Sequence, residues 1–201
     1  MILLGLTGSV ASGKSEVAKL FAAEGIPVFD SDAVVHSLYA EAATVNQIGR
    51  AFPDVIVDGK IDRALLGNRV LGSPEALEKL ESLVHPLVRK RRDEFISLWQ
   101  KQNCPIVILD IPLLYETGAE LELDYVIVVS ASEVIRRARA MSRPGMTTEK
   151  YTQILARQMP DAEKRRRADF VIENSGSLED LRSKVDALRK KLAELARNQK
   201  S

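Results

Sequence analysis

The sequence predicts an α/β protein built around a mostly parallel sheet. Three observations lead there: short runs that are apolar on both faces, longer amphipathic stretches between them, and a glycine-rich turn joining the first run directly to a helix. Ile2–Leu6 is the first such run, apolar whichever way alternate side chains point, as a strand buried on both faces requires. A helix-like stretch from Lys14 to Glu24 follows, and Gly25 stands where a helix stop belongs. Ile26–Phe29, Ile106–Leu109, Tyr125–Val129 and Phe170–Ile172 read as four further strands separated by helical patterns.

One interval breaks this rhythm. About 75 residues separate Phe29 from Ile106, more than a crossover with its helix needs. Leu77, Leu80, Leu83, Val84, Leu87 and Val88 recur there at helical spacing, and Pro53, Asp58-Gly59 and Gly72-Ser73-Pro74 mark turns. The interval therefore reads as an inserted, mostly helical module over about residues 34–103. A second special region, 136–160, is rich in Arg. The core of a single domain is left with about 1–33, 104–135 and 161–201. Near the C-terminus, Leu178, Leu181, Val185, Leu188, Leu192 and Leu195 repeat at alternating spacings of three and four. That pattern suits a coiled-coil seam or a helix packed on the sheet; packing is the favoured reading and leaves a monomer favoured.

Composition narrows the classes of function. The 201 residues are 45% apolar, enough for a sizeable core. Lys plus Arg number 29 against 28 Asp plus Glu, a balance that argues against coating nucleic acid or an anionic membrane. Aromatics at 5% leave little for base-stacking platforms. A single cysteine, Cys104, points to a reducing, cytoplasmic compartment, and no stretch approaches the length of a membrane span.

The strongest chemical signal is Gly8-Ser9-Val10-Ala11-Ser12-Gly13-Lys14-Ser15, which matches G-x-x-x-x-G-K-[ST] and lies between a strand and a helix. Gly8 and Gly13 let the backbone fold around an anion without a clashing Cβ. Loop amides from Ala11, Ser12 and their neighbours then face phosphate oxygens. Lys14 reaches the β- and γ-phosphates, and the Ser15 hydroxyl is a ligand for Mg²⁺. Glu16 brings a carboxylate close to that end and is expected to point outward along the helix. A nucleoside triphosphate is the expected ligand.

Two acidic sites sit at strand ends, where ligands bind in open α/β sheets. Asp30-Ser31-Asp32 closes the second strand; were the chain still extended there, both carboxylates would share a face. Asp32 is read as the base for an acceptor hydroxyl. The competing reading makes Ser31 or Asp32 the cap of the helix that Ala33-Val34-Val35 begins. Asp110, after four apolar residues, has the form of a Walker-B carboxylate that holds Mg²⁺; a plain strand-end turn is the alternative. Arg136, Arg139 and Arg143 fall on one helical face beside the loop Pro144–Thr148, which suits a lid closing over phosphates, against the alternative of a solvated basic face. The run Lys164-Arg165-Arg166-Arg167 is expected to be solvated. His36 and His85 lack metal-site neighbours, and His85 by itself reads as structural.

Taken together, these motifs resemble the dephospho-CoA kinase family of P-loop kinases. The resemblance rests on the phosphate loop, Asp30-Ser31-Asp32, Leu83-Val84-His85-Pro86-Leu87-Val88, the segment Asp110-Ile111-Pro112-Leu113-Leu114-Tyr115-Glu116, and Ala168-Asp169-Phe170-Val171-Ile172-Glu173-Asn174. It implies a three-layer fold with a five-stranded parallel sheet, a helical insertion for the acceptor and an Arg-rich lid. The implied reaction is phosphorylation of the ribose 3′-hydroxyl of dephospho-coenzyme A by Mg-ATP, the last step of coenzyme A biosynthesis. Asp32 would be the base, with Lys14, Arg139 and Arg143 also catalytic. His85, Arg89, Asp110 and Leu113 would line the acceptor site, and Asn174 would lie near the adenine. The chain departs from the family pattern in having Ser9-Val10-Ala11 where glycines are usual, Glu16 for a usual Thr, and Pro144 for a common Asp. Two other functions compete: a kinase for another small alcohol or a nucleoside monophosphate, and a GTPase-like switch. The switch would want an Asn-Lys-x-Asp guanine reader, and the late segment Ile172-Glu173-Asn174-Ser175 lacks its Lys and Asp.

Overall fold

Ile2–Gly8 forms the central strand, β1, and six of its seven residues are buried. Hydrogen-bonded strands flank it, the helices Lys14–Ala23 and Leu178–Asn198 cover one face, and Leu114 and Leu123 meet the other at Gly5. The computed structural model describes residues 1–71 and 73–198; Gly72, part of one expected turn, lies outside the described residues. After β1 come α1 (Lys14–Ala23), β2 (Val28–Asp30), α2 (Ser31–Leu38), α3 (Ala42–Ala51), β3 (Ile56–Val57), β4 (Lys60–Ile61), α4 (Arg63–Leu71) and α5 (Pro74–Lys101). Then follow β5 (Ile106–Asp110), β6 (Tyr125–Ser130), α6 (Glu133–Met141), α7 (Thr148–Ala156), α8 (Asp161–Arg167), β7 (Phe170–Glu173) and α9 (Leu178–Asn198). The main sheet is five-stranded and parallel, in the order β2-β5-β1-β6-β7. Its register sets Leu6 opposite both Asp110 and Ile127, so β1 and β5 deliver the phosphate loop and the Asp110 carboxylate to the same sheet end.

The chain divides into two compact units, Met1–Phe29 with Trp99–Ser201, and Asp30–Leu98. In the first, Ile2, Leu4, Leu6, Val17, Phe21, Ile106, Ile108 and Ile127 share one core. Leu181, Val185, Leu192 and Ala196 of α9 belong to that same core, so the terminal leucine pattern is a packing face. Each such side chain contributes roughly 1.5–3 kcal/mol by leaving water, which outweighs what an exposed seam would gain alone. No helix among the described residues is long and apolar enough to cross a membrane.

The second unit has its own core of Ile48, Phe52, Val55, Ile61, Leu66, Val70, Leu80 and Val84. The helix α5 runs through Pro86 without a break. Asp58-Gly59, read as a turn, closes a two-stranded hairpin between β3 and β4. Both turn residues take positive φ, 48° and 72°, the backbone that a two-residue hairpin favours.

Candidate active site

Two glycines shape the phosphate loop for steric reasons. A Cβ on Gly8 would lie 2.4 Å from the Val129 carbonyl oxygen, and one on Gly13 would lie 2.0 Å from Asn174 Nδ2. Gly13 also caps α1 at φ 95° and supplies no side-chain acceptor, which leaves the first amides of that helix available to an anion. Ala11 takes φ 60°, an uncommon backbone for a residue with a Cβ. Its methyl is buried in a cluster with Ala140 and Tyr151, so the loop and residues 136–160 share a small apolar core.

The loop is braced from several sides. Asn174 Nδ2 donates to the Ser12 carbonyl at 2.8 Å, and Arg139 Nη1 approaches the same oxygen at 3.4 Å. Asn174 is held in turn by its own amide, which donates to Ser130 O at 2.7 Å. The Val10 amide donates to Gln158 Oε1 at 2.9 Å, and Ser9 Oγ to Asp161 Oδ1 at 2.8 Å. Lys14 Nζ is ion-paired with Asp110 Oδ1, and Asp110 is only 2% exposed at the end of β5. Ser15 is exposed on the first turn of α1. Glu16 lies 3.7 Å from Lys19, on the outer side of that helix as expected. Thr7 Oγ1 donates to Pro112 O at 3.1 Å, tying β1 to the segment after Asp110. Within that segment Leu113 is half-buried, and its carbonyl accepts from the Thr117 amide and hydroxyl.

The expected arginine face is split. Arg136 is buried and donates Nε to Ala131 O at 3.0 Å, so it secures the start of its own helix. Arg139 reaches the loop, and Arg143 lies exposed just beyond the end of α6.

Within the run 164–167 the first residue departs from expectation, whereas Arg165, Arg166 and Arg167 are exposed, as a solvated run should be. Lys164 is 0% exposed and ion-paired with Glu116 at 2.8 Å. Arg165 pairs with Glu173, Arg166 with Glu163, and Arg167 with Glu120 while stacking 4.6 Å above the Tyr115 ring. Burial pushes the Tyr115 phenol up to about 12; the Arg167 charge opposes this, and Asp169 and Glu120 add to it. Burial would also raise Glu173, yet bonds from Ser175 and Arg165 and the charges of Arg165 and Lys184 outweigh it and lower its pKa.

In the second unit, β2 ends at Asp30 and α2 begins at Ser31, so the extended geometry that would align Asp30 with Asp32 does not exist. Asp30 caps α2 itself, accepting from the Ala33 amide at 2.9 Å. Neither Ser31 nor Asp32 takes that role, which overturns the capping alternative and leaves the Asp32 carboxylate exposed on the first turn. His85 and Arg89 are exposed one turn apart on α5. A cavity of about 420 Å³ opens in the same unit, lined by His36, Tyr39, Asn46, Lys60, Ile61 and Arg63 among others. Arg63 Nη1 donates to His36 Nδ1 at 2.7 Å, and among the described residues no carboxylate lines the cavity. Sequence reasoning missed this basic pocket because its residues come from four elements with no common spacing. It also missed Gln158, Asp161 and Glu116 as loop and segment anchors; the one local signal was Pro160-Asp161 opening a helix.

Among the described residues no group of three or more His, Cys, Asp or Glu could hold a metal ion. A magnesium ion bound with phosphates needs only one or two protein oxygens. Ser15 and Asp110 are oxygen donors of the hard type it prefers.

Known proteins place this geometry in context. The family described as CoaE, dephospho-CoA kinase, matches residues 2–180. Dephospho-CoA kinase of Agrobacterium fabrum is 50% identical over 192 residues, covering 96% of this chain and 98% of that protein. The crystal structure of TT1252 from Thermus thermophilus superposes with a TM-score of 0.83 at 41% identity, over 96% of this chain and 97% of that one. Dephospho-CoA kinase from Campylobacter jejuni gives 0.66 at 26% identity, over 94% and 96% of the two chains.

Proposed function

The chain belongs to the dephospho-CoA kinase family, and we propose that it transfers the γ-phosphoryl group of ATP to the ribose 3′-hydroxyl of dephospho-CoA, the last step of coenzyme A biosynthesis. The observation that carries this reading is the braced phosphate loop with its Lys14–Asp110 pair at the sheet end. Gly8, Ala11, Ser12, Gly13, Lys14, Ser15 and Glu16 form the ATP side, with Asn174 behind the loop. Lys14, Arg139 and Arg143 supply positive charge to the transferring group, and residues 136–160 act as the lid that excludes water. Asp32 accepts the hydroxyl proton; its exposure and freedom from capping support this role.

We assign acceptor binding to His85 and Arg89 in one unit and to Asp110 and Leu113 in the other. The basic cavity beside His36 and Arg63 supports an acceptor that carries phosphate groups. Magnesium, when bound with ATP, neutralises phosphate charge; Ser15 Oγ and the Asp110 carboxylate would hold it. Lys14, paired with Asp110 here, would turn to the phosphates when ATP binds. The reading assigns the chain two small-molecule substrates, action as a monomer, and, from its single thiol, a cytoplasmic setting.

The test is ADP release from Mg-ATP with and without dephospho-CoA, alongside mass spectrometry of the acceptor. A gain of one phosphate that disappears in Lys14→Ala is expected. Tight ATP binding with no acceptor phosphorylated would overturn the reading and favour a different alcohol or a switch.

A further inference from the structure

We propose that Lys164 is a positioning residue for phosphoryl transfer, acting through Glu116 to lock the C-terminal end of the lid to the segment that carries Asp110. The inference rests on the kinase reading above and concerns residues outside the assigned site. Lys164 is fully buried in α8, in a place where a cation is costly without a partner. Its partner is Glu116 Oε1 at 2.8 Å, and the contact is one of charge, since Nζ makes no well-directed hydrogen bond among the described residues. The same oxygen accepts the Met159 amide at 2.7 Å. One carboxylate therefore joins the turn after β5 to the exit of the lid, and Lys164 sets where that carboxylate sits.

The exit segment grips the phosphate loop as well. Gln158 Oε1 takes the Val10 amide, and Asp161 bridges Ser9 Oγ at 2.8 Å and Ser130 Oγ at 2.6 Å. Residues 158–164 thus contact three parts of the proposed machinery at once: the loop, the end of β6, and the Asp110–Glu116 segment. All three contacts are hydrogen bonds with fixed direction, so a shift of Glu116 is carried to Met159 and onward to Gln158. A buried ion pair is weak evidence for stability, because apolar residues of similar volume often replace one without loss. The Met159 bond gives this pair a task that an apolar substitute cannot perform.

The experiment compares Lys164→Met, the double variant Glu116→Leu/Lys164→Met, and wild type. Melting temperature, kcat, the KM for ATP, and hydrogen exchange of residues 136–160 with and without an ATP analogue are read for each. Lys164→Met is expected to lose both stability and turnover, since it leaves the largely enclosed Glu116 carboxylate without its cation. The double variant is expected to regain most of the melting temperature while kcat stays down about 10²-fold. Its KM for ATP should hardly move, and its lid amides should exchange faster. A double variant with wild-type kcat and wild-type lid exchange would overturn the proposal, leaving the pair purely structural. If the double variant does not fold, isosteric Glu116→Gln carries the comparison: a kcat loss of about tenfold or more with faster lid exchange supports the role, and both unchanged overturns it. If wild type proves inactive on dephospho-CoA, the exchange data still decide whether Lys164 anchors the lid, so the two readings fail separately.

Discussion

Lys14 and Asp110 neutralise one another at the end of the sheet, with the lysine at the start of α1 and the carboxylate buried at the end of β5. The pair defines the state from which nucleotide binding starts. Phosphate must draw Lys14 from a buried carboxylate. Asp110→Asn is therefore expected to tighten metal-free ATP binding several-fold, because Lys14 no longer leaves a charged partner. Turnover with Mg²⁺ should fall by about 10²-fold, as one charge-stabilising group is lost. Fluorescence titration with and without Mg²⁺, beside steady-state rates, reads both effects. Weaker metal-free binding in the variant would contradict the exchange of partners. Removing the lysine acts on folding instead: Lys14→Met takes the ion pair from a buried carboxylate and is expected to lower the melting temperature.

The Asn174 side chain bonds to the Ser12 carbonyl, directly behind Gly13. If its task is to brace the loop, Asn174→Ala weakens every nucleotide alike, since the loop holds phosphates common to all of them. The lost bond should cost about 0.5–1.5 kcal/mol of stability, with the other half of the brace left to Arg139. If Asn174 instead reads adenine, ATP weakens and GTP does not. Titrating both nucleotides against the variant separates the two. The expected outcome is an equal loss, within a factor of about two, which is well below one hydrogen bond of discrimination.

Much of this architecture was legible because it is local. Strand-loop-helix around Gly8–Ser15, the buried runs of the sheet, and the apolar face of α9 all follow from short-range pattern. Partners distant along the chain were not legible. Nothing near Lys164 in sequence announces that Glu116 lies against it, so the first residue of a run read as solvated is buried in an ion pair while the three arginines after it stay exposed. Helical spacing placed Arg136 with Arg139, but the carbonyl of Ala131 claims Arg136 first. At 30–32 the difficulty was a boundary of one residue. Ending the strand at Asp30 rather than beyond it moves the cap to Asp30 and changes which carboxylate is free.

That boundary yields a separation of roles between neighbouring acids. Asp30 holds α2 by accepting the Ala33 amide, so Asp30→Ala should cost about 1 kcal/mol of stability, the usual loss for an N-cap. Asp32 is exposed and caps nothing, so Asp32→Asn should leave the melting temperature within about a degree, the small effect typical of surface substitutions. Its effect belongs to turnover instead: as a general base its removal should lower kcat about 10²–10⁴-fold with ATP affinity unchanged. Thermal melts and steady-state rates on the two variants give a crossed pattern. Asp30→Ala keeps most of its turnover at temperatures where it is folded, while Asp32→Asn is stable and slow. An Asp32→Asn protein within a few-fold of wild-type turnover would remove Asp32 from the base role, and the hydroxyl proton would have to leave by another group on the acceptor side.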